Sequence, residues 1–122
     1  TLVHMGYDGI VLGNTSTRYS AIEPQIAASE RRTFRAFTEQ YGGGVSGRPL
    51  KVWSLALCAA AAQAARKHAS NKEFHVVRCG GIESMADVEA SAAIGVQLNQ
   101  WYTGYFTGVG KYGHDVYARV LG

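Results

Sequence analysis

Three short stretches of glycine and small hydroxyl residues carry the chemistry that this sequence suggests. Gly80-Gly81 follows one apolar run, Thr103 follows another, and Ser46-Gly47 lies in an earlier loop. Glycine backbone N–H groups can approach an anion closely because no side chain intervenes, and the start of the following helix adds partial positive charge. A hydroxyl group can donate a further hydrogen bond. The three stretches together predict a phosphate-binding site.

The prediction depends on how the three stretches meet in space. Taken alone, a Gly-Gly pair after a strand is equally typical of a tight turn into a helix. Loops at the same end of consecutive parallel strands converge when the connections are right-handed. In (β/α) barrels, the loops after the last two strands commonly bind a phosphate together with a helix N-terminus. The prediction therefore requires the surrounding elements to be parallel βα units.

The surrounding sequence alternates between strand and helix patterns. Short apolar runs with glycines or polar residues at their ends predict three buried strands, at residues 7–13, 74–79 and 96–101. Helical spacing predicts helices at residues 23–41, at residues 54–68 with Ser54 as the N-cap, from a capping-box-like start at residues 84–87, and at residues 109–121. Such alternation indicates parallel βα units of the α/β class. Three units fall short of a closed barrel, which needs about 250 residues.

Composition narrows the classes of function. The chain has 122 residues, of which 47% are hydrophobic and 17% charged, so it can bury the core of one domain. The net charge of +3 is scattered without a Lys/Arg run, which argues against nucleic-acid binding. Cys58 and Cys79 lack the spacing of a disulfide framework or a metal site. No apolar run approaches the roughly 18 residues of a membrane-spanning helix.

The order and spacing of these motifs resemble the dihydroorotate dehydrogenase family over nearly the whole chain. The first strand with Asn14-Thr15-Ser16 is similar to the strand and Asn-Thr-Thr substrate loop of that family. Residues 43–50 are similar to its GG-x-SG-[KR]-PL stretch, and residues 76–104 match it without a gap. Each motif is modest, but three of them in order form a specific combination.

The resemblance implies a fold, a cofactor and a substrate. The chain is expected to be the C-terminal portion of a TIM (β/α)₈ barrel and a fragment of an FMN-dependent dihydroorotate dehydrogenase. That family oxidises dihydroorotate to orotate in pyrimidine biosynthesis, passing two electrons to FMN and then to an acceptor. The resemblance assigns Asn14 and Thr15 to the pyrimidine carboxylate and ring. It assigns six positions to the FMN phosphate, namely Ser46, Gly47, Gly80, Gly81, Tyr102 and Thr103.

Other parts of such an enzyme are expected outside this sequence. In the family, the catalytic base and the lysine that contacts the flavin lie on earlier strands, which would precede Thr1, so no catalytic residue is expected here. Residues 46–50 look most like the quinone-reducing, membrane-associated class. That class implies a location at the mitochondrial inner membrane or on the cytoplasmic side of a membrane. If the protein is not of that class, a cytoplasmic location is expected. An open three-strand sheet is expected to associate with itself or with the missing barrel strands.

The sequence also departs from the family pattern. Within one domain at residues 1–122, residues 20–42 are expected to form an inserted helical segment. Asn99 stands where an aliphatic residue is usual, and its buried amide would need partners or cost stability. Cys79 stands where glycine is common. Two alternatives follow. One is a non-catalytic half-barrel that binds a phosphate-bearing ligand or a protein partner. The other is another FMN-dependent or phosphate-binding barrel, since generic phosphate barrels do not need Asn14 and Thr15.

Overall fold

Three parallel strands form one sheet in the part of the chain that the structure describes. The computed structural model describes residues 2–68, 73–120 and 122. The strands are β1 (Gly9–Gly13), β2 (His75–Cys79) and β3 (Leu98–Gln100), and they lie in the order β1-β2-β3. Both strand pairs are parallel, and the register aligns Leu12 with Arg78 and Arg78 with Asn99. The predicted α/β class with parallel strands is confirmed, and the sheet is consistent with part of a (β/α)₈ barrel.

Helices follow every strand. They are α1 (Tyr19–Ile22), α2 (Arg31–Tyr41), α3 (Lys51–His68), α4 (Met85–Ala93), α5 (Thr103–Tyr112) and α6 (Val116–Val120). Single 3₁₀ turns occupy Glu23–Gln25, Arg48–Leu50 and Gly113–Asp115. The element order therefore contains three βα units, with α1 and α2 placed between β1 and the helix that packs on it.

The core lies between the sheet and α3. Cys58 and Ala62 on α3 are buried against Val76 of β2 and against Val96. Ile10 and Leu12 of β1 pack on the same cluster. The small side chains of this alanine-rich helix allow its backbone to lie close to the sheet.

The opposite face of the sheet carries an apolar band. Val11, Val77 and Leu98 are aligned across the three strands, on the face away from α3. Val11 is 51% exposed and Leu98 is 48% exposed. Among the described residues, no helix has both the length and the apolar character needed to cross a membrane.

The helix predicted at residues 23–41 is wrong over its first eight residues. The backbone of Ile26 is extended (ψ 134°), and α2 begins only at Arg31. The guanidinium of Arg31 donates to the carbonyl oxygens of Ile26 (3.0 Å) and Pro24 (3.3 Å). These hydrogen bonds satisfy carbonyls that a continuous helix would have used, which stabilises the break.

The helix predicted at residues 109–121 begins six residues earlier and is interrupted. Gly113 adopts a positive φ of 59° and ends α5, and α6 follows after a 3₁₀ turn. Gly108 is buried inside α5, where a Cβ atom would lie 2.7 Å from Val116. Tertiary packing thus keeps a residue of low helix propensity within a helix. The predicted end at Leu121 lies outside the described residues.

The predicted N-cap role of Ser54 is also wrong. The 3₁₀ turn Arg48–Leu50 runs directly into α3, so the helix begins at Lys51. Ser54 lies one turn inside the helix and is fully buried. Its hydroxyl donates to the carbonyl oxygen of Gly80 at 2.7 Å, which gives it a tertiary role instead.

Candidate functional site

One cavity lies at the carboxyl ends of the three strands, where all eight predicted site residues meet. Its volume is about 280 Å³. The predicted residues that line it are Asn14, Thr15, Ser46, Gly47, Gly80, Gly81, Tyr102 and Thr103. Among the described residues, its other lining positions are Cys79, Ile82, Gln100, Trp101 and Gly104, so none of the lining side chains is charged. We call this space the loop cavity.

The loops after the first and third strands touch each other across the loop cavity. The hydroxyl oxygens of Ser46 and Thr103 lie 2.9 Å apart and share a hydrogen bond. Gly47 has a positive φ of 80°, and a Cβ atom there would lie 3.0 Å from the Thr103 methyl carbon. Only glycine combines this conformation with so close an approach. The sequence-based prediction that these loops converge is therefore confirmed by their geometry.

The Gly80-Gly81 turn directs a backbone donor away from the helix layer. Gly81 has a φ of 77°, and a Cβ atom there would overlap the backbone of Lys51. The carbonyl of Gly80 accepts from Ser54, and no peptide bond in the described chain is cis. In a trans peptide the C=O and the following N–H point in opposite directions. The N–H of Gly81 therefore points away from Ser54, and no described residue accepts from it.

Helix α5 supplies the helix N-terminus of the loop cavity. Thr103 and Gly104, its first two residues, line the cavity. The first turn of a helix leaves N–H groups without intrahelical partners, and these groups carry partial positive charge. Gly104 allows this turn to lie against the loop after β2, because a Cβ atom there would overlap the carbonyl oxygen of Ile82.

The N-terminus of α4 does not play the role that the sequence suggested. Its predicted capping box is confirmed, since the Asp87 carboxylate accepts from the backbone N–H groups of Glu83 and Ser84, both at 3.0 Å. This carboxylate places negative charge at the start of α4, and no residue of α4 lines the loop cavity. The expectation that the helix after Gly80-Gly81 contributes positive charge must be corrected, because α5 provides the free helix start at the cavity.

A small ion-pair cluster lies behind the Gly80-Gly81 turn. The Lys51 ammonium lies 3.0 Å from the Asp87 carboxylate and 3.3 Å from that of Glu83, which Arg48 also contacts at 3.1 Å. Burial acts to raise the pKa of Asp87. The hydrogen bonds from Lys51, the Glu83 backbone and Ser84 outweigh it and hold the pKa below its ordinary value. Asp87 is therefore a charged structural acid.

Asn14 and Thr15 also line the loop cavity, beside the loops that are predicted to bind phosphate. Asn14 has a left-handed backbone (φ 69°), and its N–H donates to the carbonyl oxygen of Cys79 at 2.8 Å. Asparagine tolerates this conformation better than most residues. Its side-chain oxygen lies 3.9 Å from the Cys79 sulfur. The geometry brings the pair to the cavity, while their assignment to the substrate stays a prediction.

Sequence reasoning missed Arg78, which is fully buried beneath the loop cavity. An arginine inside an otherwise apolar strand was the available signal, because a buried charge needs charged or hydrogen-bonding partners.

The buried amide expected from the sequence at Asn99 is confirmed. Both polar atoms of the Asn99 amide are buried, and within the described part of the chain they have no hydrogen-bond partner.

Comparison with known proteins agrees with this geometry. The family model for dihydroorotate dehydrogenase matches residues 1–118. The chain is 34% identical over 98 residues to the mitochondrial dihydroorotate dehydrogenase (quinone) of Candida glabrata, covering 80% of this chain and 20% of that protein. It is 32% identical over 108 residues to the mitochondrial enzyme of the same name from Lachancea kluyveri, covering 88% and 22%.

A bacterial protein extends the comparison. The chain is 31% identical over 104 residues to the dihydroorotate dehydrogenase (quinone) of Methylococcus capsulatus, covering 85% of this chain and 26% of that protein. The chain thus spans about a fifth to a quarter of the length of these relatives. Because the family match covers nearly every residue and contains each loop of the cavity, the chain belongs to the dihydroorotate dehydrogenase family.

Proposed function

We propose that this chain supplies the FMN-phosphate site and part of the substrate site of an FMN-dependent dihydroorotate dehydrogenase. The observation that carries the proposal is the loop cavity, in which loops from all three βα units and the start of α5 surround one uncharged space. A phosphate dianion needs several hydrogen-bond donors and no nearby carboxylate. The lining of this cavity meets both needs through backbone N–H groups and hydroxyls.

The proposed phosphate ligands are the six positions of the three loops. Gly47, Gly80 and Gly81 present backbone without side chains, and Ser46 and Thr103 present hydroxyls that now bond to each other. A bound phosphate would replace that mutual hydrogen bond with two bonds of its own. Tyr102 is 75% exposed and precedes α5, so we assign its contribution to the backbone. When bound, FMN supplies the two-electron chemistry, and these residues fix its position.

The proposed substrate contacts are Asn14 and Thr15. The oxygen of the Asn14 amide faces the Cys79 sulfur, so its NH₂ group is available to donate to a carboxylate. Thr15 packs closely over Gly44, which fixes its side chain beside the cavity. We propose that the two residues hold the carboxylate and ring of dihydroorotate. The names of the relatives specify a quinone, and we propose an acceptor of that class for this protein.

Anaerobic reduction of the bound flavin tests the proposed reaction. The full-length protein, loaded with FMN and mixed with dihydroorotate near neutral pH, should lose its flavin absorbance near 450 nm as electrons reach the cofactor. An equal concentration of orotate, the oxidised product, is the control and should leave the absorbance unchanged. If FMN binds but dihydroorotate leaves it oxidised, the proposed reaction is wrong. A non-catalytic phosphate-binding protein then becomes the better description.

Replacement of Asn14 separates the substrate site from the cofactor site. Asn14→Ala should weaken orotate binding about tenfold or more, because it removes a hydrogen bond to a charged group, while FMN stays bound. The matched control is Asn99→Ala, an amide that does not line the loop cavity. Titrations of orotate and FMN measure both constants. Equal weakening of orotate and FMN by Asn14→Ala would contradict the assignment.

We also propose that the apolar band packs against further strands of the same barrel. Val11 and Leu98 are half exposed on a sheet face that no described helix covers. Val11→Lys in the full-length protein should reduce soluble yield or thermal stability strongly, because it would place a charge inside the barrel. Val52→Lys is the control, since Val52 is 80% exposed on α3. Similar behaviour of the two variants would exclude this packing.

Residues 20–42 are proposed to be an insertion within this domain.

A further inference from the structure

Arg78 is a fully buried cation whose hydrogen bonds reach two helices, α3 and α4. Its Nε donates to the Ser54 hydroxyl at 3.0 Å, and its Nη2 donates to the carbonyl oxygen of Lys51 at 2.8 Å. Its Nη1 donates to the carbonyl oxygen of Asp87 (3.1 Å) and to the hydroxyl of Ser91 (3.0 Å). A guanidinium has five N–H donors, so the surroundings use most of its capacity. The side chain thereby joins the starts of α3 and α4 beneath β2.

Two of these contacts lead directly to the Gly80-Gly81 turn. Ser54 accepts from Arg78 and passes a hydrogen bond on to the Gly80 carbonyl oxygen at 2.7 Å. Lys51 forms the backbone surface on which Gly81 rests, because a Cβ atom on Gly81 would overlap it. Linked hydrogen bonds of this kind reinforce one another. The orientation of the Gly80-Gly81 peptide, and with it the direction of the Gly81 N–H, therefore depends on Arg78.

Burial of this charge carries a cost that an apolar residue would avoid. Burial lowers the pKa of the Arg78 guanidinium, and the nearby Asp87 partly offsets the effect. The Asp87 carboxylate itself contacts Lys51, so in the described chain Arg78 bonds to carbonyl and hydroxyl oxygens and to no carboxylate. Such sites are usually less stable than well-packed apolar ones. A role in shaping the cavity gives a reason for the arginine.

We infer that Arg78 is a positioning residue of the phosphate site, which holds the Gly80-Gly81 turn in its anion-binding form through Ser54 and the Lys51 backbone. The inference rests on the proposed function, because it concerns the same site. It assigns no contact between Arg78 and the ligand. Loss of Arg78 should therefore affect the phosphate end of a flavin and leave the contribution of its ring intact.

The ratio of FMN affinity to riboflavin affinity tests this role, since the two flavins differ only in the phosphate. Both dissociation constants would be measured by flavin fluorescence quenching in the full-length protein. Arg78→Met should lower the FMN preference about tenfold or more, mainly by weakening FMN, with riboflavin affinity changed less than about threefold. Arg78→Lys retains the charge but few of the hydrogen bonds, and should restore the preference only in part.

Two further variants make the test decisive. Ser54→Ala removes only the hydroxyl between Arg78 and Gly80 and should lower the preference about threefold or more. It decides the question if Arg78→Met does not fold. Arg66→Met is the matched control, because Arg66 also donates to a backbone carbonyl oxygen, that of Ile94 before the start of β3 (3.3 Å). The FMN preference of this variant should equal that of the unaltered protein.

The outcomes distinguish this inference from the proposed function. If the unaltered protein binds riboflavin as tightly as FMN, the phosphate site itself is wrong. If the unaltered protein prefers FMN but Arg78→Met, or Ser54→Ala in its place, keeps that preference within about twofold, the positioning role of Arg78 is wrong. Equal weakening of both flavins by Arg78→Met also contradicts it, because a general structural role would act on ring and phosphate alike.

Discussion

The loop cavity and the long connection between β1 and α3 differ in how their residues are packed. The cavity is formed by buried glycines and by a buried hydrogen-bond network around Arg78. The other region, residues 16–45, which we call the rim segment, contains α2, and none of the described α2 residues is buried. Phe37 and Tyr41 on that helix are 61% and 67% exposed. The rim segment is anchored at its base, where Ser16 and Val45 form a bridge with N···O distances of 3.0 and 2.9 Å.

The contrast shows that amphipathic spacing and burial are separate properties. Aromatic residues at positions 34, 37 and 41 give α2 a regular apolar stripe, yet the stripe stays largely exposed. Helix α3 is rich in alanine, and it forms the core through Cys58 and Ala62. Small side chains let a helix lie close to a sheet, whereas a stripe of large ones needs a partner surface. Burial in this protein therefore follows close backbone approach and not the regularity of an apolar stripe.

The largest effect should come from adding a methyl group at the loop cavity. Gly81→Ala forces a side chain into a left-handed backbone and against the backbone of Lys51. Strain and overpacking together should lower the free energy of unfolding by about 3 kcal/mol or more and abolish FMN binding. Urea unfolding with a flavin titration measures both.

The matched control lies in the rim segment. Gly43 has no atom within 4 Å of an added Cβ and is not among the glycines with positive φ. Gly43→Ala should change the free energy of unfolding by less than about 0.5 kcal/mol. Equal effects of Gly81→Ala and Gly43→Ala on the free energy of unfolding would contradict the contrast between the two regions.

The loops of the cavity were predictable because local backbone geometry requires their residue types. Gly47, Gly80 and Gly81 all adopt the positive φ that glycine clusters favour, and Ser84 with Asp87 forms the expected capping box. Parallel strand order followed from the alternation of strand and helix patterns. These features are encoded within a few neighbouring residues, so a single sequence suffices to find them.

The features missed at α5, Ser54 and Arg78 depend on tertiary contacts. The early start of α5 depends on Gly104 and Gly108, which weaken a helix locally but fit against Ile82 and Val116. The role of Ser54 depends on the Gly80 carbonyl, 26 residues away. The strand shows an unexpected arginine at Arg78, but its partners on α3 and α4 are distant in sequence. Local propensity does not contain this information.

A moderate and pH-dependent effect is expected from Asp87. Asp87→Asn should lower the free energy of unfolding by about 1–2 kcal/mol at pH 7, because it weakens the capping hydrogen bonds and the Lys51 ion pair. Folding lowers the pKa of this carboxyl. Its stabilisation is therefore present above the unfolded value of about 3.9 and is lost as the pH falls through the lower folded value.

The stability difference between the variant and the unaltered protein should thus begin to shrink below about pH 4 and disappear only below the folded pKa of Asp87. Urea unfolding at a series of pH values measures the difference. Glu39→Gln serves as the control, since Glu39 is an exposed acid on α2, and it should show no difference at any pH. If the stability difference between Asp87→Asn and the unaltered protein stayed constant at acid pH, the carboxylate charge would not stabilise α4.

The smallest effect should come from the rim segment itself. Phe37→Ser with Tyr41→Ser removes two rings that pack mainly on each other, with centroids 5.6 Å apart, and that remain mostly exposed. The free energy of unfolding should change by less than about 0.5 kcal/mol, and FMN affinity should be unchanged. A loss of about 2 kcal/mol or more would contradict the contrast with the loop cavity. Burial on that scale requires a covering surface for α2, because the described rings are too exposed to supply it.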